Sequence, residues 1–504
     1  MVGVREINME QDYSERSVGE LRKTFESRKT RGVEWRKSQL RALQRFLMER
    51  EDDIFQALKQ DLGKPRVEAY RDEVGPLTNS LNLSLKCLDK WMASKKINVP
   101  MLAMPTTAEL VPEPLGLVLI FSSWNFPFVL SLDPLIGAIA AGNTVVLKPS
   151  EISPATSAFL AKTLPKYLDG EAIKVVEGGE TVSKQLLDYK WDHIFFTGSQ
   201  RVGRIIMSAA SKHLTPVTLE LGGKCPAVFD FMSCSRDREV SMRRMVNAKY
   251  GLSGGQACVA VDYVLVEEKH ASLLIEMVKS KIKSYYGDKP SETDSISRIV
   301  NRHHFDRLKR LLNDPAVQAS IIHGGSLDED KLYIEPTIIL NPPLDSEVMN
   351  EEIFGPLLPI ITLKKIEESI NFINSRPKPL AIYVFTNNEI LKKRMVGETS
   401  SGSVTFNDAS IHFLLDTLPF GGVGESGFGS YHGKFSFDRF SHMKPVLKRN
   451  LLIELSFGYP PWNSNKLKIL RSSFRFDYFS LLLLLLGFTT DKDNKDQVQK
   501  LKST

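Results

Sequence analysis

At 504 residues, 42% of them hydrophobic and 25% charged, the chain has the make-up of an ordinary globular protein too long for one core, with a soft prior of about three domains. A formal net charge of +6 suits phosphate-bearing ligands, an anionic membrane surface or simply a solvated face, and no nucleic-acid partner is predicted from so mild a surplus. Four cysteines, Cys87, Cys225, Cys234 and Cys258, lack paired spacing, which argues against a disulfide framework and a zinc site and predicts a reducing compartment with no metal. The start has no apolar run of the signal-peptide kind, Val2 excludes myristoylation, and the last residues carry no prenylation cysteine, so a cytoplasmic protein is expected.

Taken in chain order, residues 1–17 read as a flexible N-terminus. Residues 18–62 read as helices, with Leu40, Leu43, Leu47, Ile54 and Leu58 at helical spacing among charged residues. Lys95 to Thr107, with Pro100 and Pro105, reads as an extended arm. From about residue 113, short apolar runs (Gly116–Phe121, Thr144–Leu147, His193–Phe196) alternate with helical segments, which predicts βαβ units on a parallel sheet. One of those helices is expected over Pro134–Ala141, stopped at Gly142-Asn143. A second block of the same alternation spans about 225 to 420, with strands at Tyr263–Val266, Tyr333–Leu340 and Ala381–Phe385 and a helix at Leu273–Ile282. In the tail, Leu481 to Leu486 are six consecutive leucines, too short a run for the ~20 apolar residues of a membrane span. Upstream, Leu467, Leu470, Phe474, Tyr478 and Leu481 share one helical face and Lys468, Arg471 and Arg475 another, which fits an interfacial helix on a membrane or a helix docked on protein.

Five motifs carry candidate chemistry. The run Phe195 to Gly203 passes from an apolar strand through Gly198 to Ser199 as a helix cap, so its backbone N–H groups suit a phosphate. An ordinary strand–helix turn explains it too. Lys148 and Glu151 follow the strand Thr144–Leu147, where ligands of open α/β sheets bind, and could reach a ribose or lie on a solvated loop. Glu220, among apolar residues before Gly222-Gly223, is placed either as a general base with a raised pKa or as a satisfied core carboxylate. Gly254-Gly255-Gln256-Ala257-Cys258 offers a thiol on a glycine-freed backbone, although a lone cysteine is more often an inert apolar residue. Asn125, between Trp124 and Phe126 at a strand end, can donate to an oxyanion or close an Asx turn.

In order along the chain, Trp124-Asn125-Phe126-Pro127, Leu147-Lys148-Pro149-Ser150-Glu151, Phe196-Thr197-Gly198-Ser199, Leu219 to Lys224, Gly255 to Cys258, Glu351-Glu352-Ile353-Phe354-Gly355-Pro356 and Pro419 to Gly427 resemble the aldehyde dehydrogenase superfamily. The resemblance covers roughly residues 18–450. Leu21 to Phe25 and Tyr431 to Asp438 look like its class 3 branch, nearest the plant members, whose substrates include medium- and long-chain lipid-derived aldehydes. It implies an α/β fold with a Rossmann-like cofactor domain (18–94 and 114–220), an α/β catalytic domain (221–426), bridging elements that support a homodimer (95–113 and 427–450), and the tail 451–504 beyond them.

By the same resemblance Cys258 is the nucleophile, Glu220 the general base and Asn125 the oxyanion donor. Lys148 and Glu151 hold the adenosine ribose of NAD or NADP, and Gly198 and Ser199 lie at the pyrophosphate, with Gly203 in the same cofactor set. Glu352 and Phe354 position the nicotinamide riboside. The expected reaction is oxidation of an aldehyde to an acid through a thioester on Cys258, a detoxification of lipid aldehydes, with peripheral membrane contact through the tail. The alternatives are a CoA-acylating reductase and a non-catalytic binding protein on the same fold. Val261 and Ser253-Gly254 depart from the common pattern, and a polar insertion near Met232–Glu239 is expected to form a surface loop.

Overall fold

The computed structural model describes residues 16–100, 103, 106–451 and 454–486; most of the expected flexible N-terminus, together with Phe488 and the rest of the tail, lies outside them. Two compact units result, one of Met1–Met92 with Glu113–His442 and one of Ala93–Pro112 with Met443–Thr504.

The first unit begins with a helical layer. Val33–Glu49 buries Leu40, Leu43, Phe46 and Leu47 on one stripe. Glu51–Leu62 has Glu51, Asp52 and Asp53 in its first turn, favourable at the positive end of a helix, and stops at Gly63, whose φ of 61° closes the last turn. A short helix Arg66–Ala69 then widens into a π-helical turn, Tyr70–Val74, before Gly75–Met92.

The first sheet takes its five parallel strands in chain order: β1 (Leu117–Phe121), β2 (Thr144–Lys148), β3 (Ile173–Val175), β4 (His193–Gly198) and β5 (Val217–Leu221). They lie in the order β5-β4-β1-β2-β3, and Gly427–Phe428 pairs antiparallel with the outer side of β5. β1 and β2 are buried throughout, as expected of strands covered on both faces. Chain order reverses direction across β1, so the carboxyl ends of β1, β2 and β4 open a switch-point crevice.

The second sheet holds β6 (Pro226–Phe229), β7 (Tyr263–Glu267), β8 (Ile321–His323), β9 (Thr337–Leu340), β10 (Leu357–Leu363), β11 (Ala381–Phe385) and β12 (Ser403–Phe406). Their order is β8-β9-β10-β7-β6-β11-β12, parallel except for β8. Only the link Gly222–Cys225 separates β5 from β6, so the carboxyl edge of the first sheet feeds the amino edge of the second.

Four expectations change. The helix ending at Gly142 begins at Val129, ahead of Pro134. The expected strand Tyr333–Leu340 is split: Tyr333–Ile334 pairs with Leu327–Asp328, and only Thr337–Leu340 joins the main sheet, because Pro336 has no N–H to offer the ladder. The polar stretch Met232–Glu239 is loop only to Cys234, since Ser235 opens a helix running to Tyr250. In the tail, the single amphipathic face is broken into two helices, Ser464–Phe474 and Tyr478–Leu485. Phe476 turns the chain with a φ of 57° and Asp477 caps the second helix through the Ser480 N–H at 3.0 Å.

The second unit carries most of a three-stranded sheet of Lys95–Ile97, Thr106–Pro114 and Ser441–Arg449, with Thr106–Pro114 in the middle, and the two tail helices, which pack on each other. Residues 427–442, grouped from the sequence with the bridging elements, lie in the first unit. Among the described residues no helix is long and apolar enough to cross a membrane.

Candidate active site

Cys258 lies on the short approach to β7, at the amino edge of the second sheet. The backbone before it is bent by three consecutive left-handed residues, Ser253 (φ 49°), Gly254 (φ 61°) and Gly255 (φ 84°). Gly255 has a second reason to be glycine: a Cβ there would collide with the Gly355 carbonyl. The loop is tied down by the Gln256 side chain, which donates to the carbonyls of Ser253 and Arg298 and accepts the Val300 N–H. Glu68 adds a second anchor, accepting the Ser253 N–H at 2.6 Å and the Ser297 hydroxyl at 3.1 Å.

Cys258 and Glu220 share a cavity of about 170 Å³. Its walls are mainly apolar, formed by Phe126, Leu130, Leu252, Phe413, Phe420 and Tyr431, with Arg71 and Asp72 also at its lining. Burial pushes the Cys258 thiol well up, reinforced by the Glu352 and Glu220 carboxylates, while its own and the Val259 N–H favour the thiolate.

Two carboxylates act on this thiol electrostatically, Glu220 from the cavity lining and Glu352 from outside it. Glu220 is the last residue but one of β5, opposite Thr197 on β4 and Gly427 on the other side. It is 4% exposed, and among the described residues neither of its oxygens has a hydrogen-bond partner. Burial raises its pKa well above the carboxylate range, opposed only in part by the Arg439 charge. A satisfied core carboxylate would carry donors on its oxygens; among the described residues Glu220 carries none. Glu352 approaches from Gly222, where a Cβ would overlap its carboxylate. Burial first, then Asp262, lifts it to about 8, while the Gly223 N–H and Lys224 oppose the rise. Its loop is held by Asp262, which accepts the Ile353 N–H at 3.0 Å, by Lys224, bonded to Asp262 and the Glu351 carbonyl, and by Arg307, which donates to the Ile353 carbonyl.

Asn125 does not line this cavity; its neighbour Phe126 does. It is 2% exposed, and its side-chain amide donates to the Gln256 carbonyl at 3.1 Å, on the segment leading to Cys258.

The remaining expected residues occupy the crevice at the carboxyl ends of β1, β2 and β4. Lys148 ends β2, buried, with its Nζ 2.6 Å from Glu151. Gly198 ends β4, and Ser199 caps the helix Gln200–Ser211 through the Val202 N–H. Gly203 lets that helix settle onto the sheet, since a Cβ would sit 3.1 Å from Leu221. A capped helix start, a donor–acceptor pair and the Oε1 of Glu352, without a partner among the described residues, fit a dinucleotide. Phe354, with φ 51°, packs edge-on to Trp124 at 5.3 Å. Local sequence reading missed Glu68, Arg439, Lys224, Asp262 and Arg307; each acts through partners distant in the chain and carries no local signal. Among the described residues no cluster suited to a metal occurs.

A buried thiol, two raised carboxylates and a crevice that fits a dinucleotide, set on paired parallel sheets, are what a cofactor-dependent oxidoreductase requires. Residues 8–446 match the aldehyde dehydrogenase family, and the chain belongs to it: it is an NAD(P)-dependent aldehyde dehydrogenase. It is 58% identical over 473 residues to aldehyde dehydrogenase family 3 member F1 of Arabidopsis thaliana, covering 94% of this chain and 98% of that one. To family 3 member A2 of Rattus norvegicus it is 45% identical, over 94% and 97% of the chains. A structure described as the substrate-bound state of Staphylococcus aureus AldH superposes with a TM-score of 0.88 at 40% identity, covering 91% of this chain and 99% of that one.

Proposed function

We propose that this aldehyde dehydrogenase oxidises medium- to long-chain, lipid-derived aldehydes to carboxylic acids through a thioester on Cys258. The observation that carries the reading is the apolar cavity on which a thiol and an unpartnered carboxylate meet. Glu352 or Glu220 takes the thiol proton and releases it to solvent before hydrolysis, and the sulfur adds to the aldehyde carbon. The Asn125 amide, released from the Gln256 carbonyl, and a backbone N–H hold the oxyanion. A bound nicotinamide would supply the hydride acceptor that conversion of this adduct to the thioester requires. Glu220 then removes a proton from water, which attacks the thioester; the acid leaves and Cys258 recovers its proton. Lys148 and Glu151 would hold the adenosine ribose, Gly198, Ser199 and Gly203 the diphosphate region, and Glu352 with Phe354 the nicotinamide riboside.

An apolar wall favours longer substrates, since each buried methylene contributes ~0.8 kcal/mol. Exposed Trp462, Phe474, Phe479 and Leu482 on the tail unit support contact with a lipid surface as the source of such substrates. A homodimer and a role in aldehyde detoxification belong to the same reading. The test is a steady-state aldehyde series with wild type and C258A. KM should fall roughly fourfold per added methylene in the wild type, and C258A should be inactive. A flat series removes the lipid-aldehyde assignment, an active C258A removes the thioester, and acyl-CoA formed on adding CoA would move the enzyme to the acyl-transfer class.

A further inference from the structure

Beneath the loop that presents Asn125 lies a buried ion pair that the reaction above does not use. Lys64 and Glu73 are both 0% exposed at the side chain, with Nζ and Oε1 2.8 Å apart. Lys64 also donates to the Asn125 main-chain carbonyl at 3.2 Å and lies 4.2 Å from the centre of the Phe126 ring. The other oxygen of Glu73, Oε2, accepts the N–H groups of Phe128 and Val129, each at 3.0 Å. These are open N–H groups at the start of the helix Val129–Ala141, where a carboxylate is electrostatically favoured. Glu73 reaches them from the π-helical turn Tyr70–Val74, whose Arg71 and Asp72 line the substrate cavity.

Resting on the assignment of Asn125 as the oxyanion donor, we infer that Lys64 and Glu73 are positioning residues, a clamp that fixes the Asn125–Val129 backbone and so the aim of the Asn125 amide. The argument is geometric. One end of the pair grips the carbonyl of Asn125 itself; the other grips the peptide N–H groups just beyond Pro127. The backbone is thus held at both ends of the loop, which sets the point from which the Asn125 side chain turns between the Gln256 carbonyl and an oxyanion. An oxyanion donor acts through pre-set placement, and a displacement of about 1 Å can lower a rate by about a hundredfold.

The experiment compares wild type, N125A, K64M/E73M and the triple variant; the apolar pair is chosen because replacing both partners of a buried ion pair commonly leaves the fold intact. Acylation of Cys258 by a 4-nitrophenyl ester needs the oxyanion but no cofactor. Alkylation of the same thiol by iodoacetamide forms no oxyanion. N125A should slow acylation by about a hundredfold and K64M/E73M by about tenfold or more, with alkylation unchanged. The triple variant should be no slower than N125A within about twofold, because the clamp acts only through Asn125. Wild-type acylation in K64M/E73M, multiplicative losses in the triple variant, or slowed alkylation overturns the clamp. Wild-type acylation in N125A overturns the oxyanion assignment itself, and the clamp with it. If K64M/E73M does not fold, E73Q, which keeps the side-chain shape, enters the same cycle.

Discussion

Glu220 and Glu73 are buried carboxylates in the same compact unit, and they are treated in opposite ways. Glu73 has both oxygens satisfied, by an ammonium and two peptide N–H groups. Among the described residues Glu220 has neither. Glu68, beneath the cysteine loop, resembles Glu73: one oxygen takes a peptide N–H and the other a hydroxyl. The carboxylates that hold backbone in place here are met by donors, whereas Glu220, proposed as the base, meets none among the described residues. Leaving a buried polar group unmet works against stability, so such a group persists where chemistry requires it.

The largest expected effect sharpens that contrast. E220Q should lower turnover by about 10²–10⁴-fold with accumulation of acyl-enzyme, seen by mass spectrometry, while Tm changes little because no hydrogen bond is lost. In the wild type the hydrolytic step should rise with pH through the raised Glu220 pKa, since the base must be ionised, and E220Q should lose that limb. A Tm drop of many degrees in E220Q would mean that Glu220 is structural after all.

Next is Glu68, which burial raises from an ordinary 4.5 to about 7, against the Lys64 charge. A carboxyl whose folded pKa is raised favours its protonated form. Its contribution is therefore full below 4.5 and is lost as pH climbs to about 7, by about 3 kcal/mol at most. E68Q cannot ionise, so its stability relative to wild type should improve across that window in denaturant titrations; a constant difference would show that Glu68 does not titrate there. The smallest effect lies outside the catalytic cavity. Glu151 is paired with Lys148 but half exposed at the expected ribose position, so it should disfavour a 2′-phosphate and make the enzyme prefer NAD+. E151Q should shift kcat/KM toward NADP+ by about fivefold, the scale of one near-surface charge contact.

Much of this was legible in the chain. The buried runs at Leu117–Phe121, Thr144–Lys148 and Ala381–Phe385 are strands where apolar composition places them, because parallel strands buried on both faces show it in every residue. The tail helix break was hidden, because apolar spacing carries across Phe476 while a single positive φ interrupts the helix. Cys258 and Glu220 were readable as candidates only through motif order, since a lone cysteine or glutamate looks the same whether inert or reactive.

The sequence by itself determined the family and most of the buried strands, and offered Cys258 as the candidate nucleophile, because these rest on local pattern and ordered motifs. Tertiary structure alone decided that Glu220 is unpartnered, that Glu352 and Cys258 share a field, and that Lys64 and Glu73 grip the Asn125 loop. Lys64 and Asn125 are 61 residues apart, and Glu73 and Val129 are 56 apart. Hydrogen bonds across such separations leave no periodic trace in the chain and exist only once the helical layer has closed over the sheet.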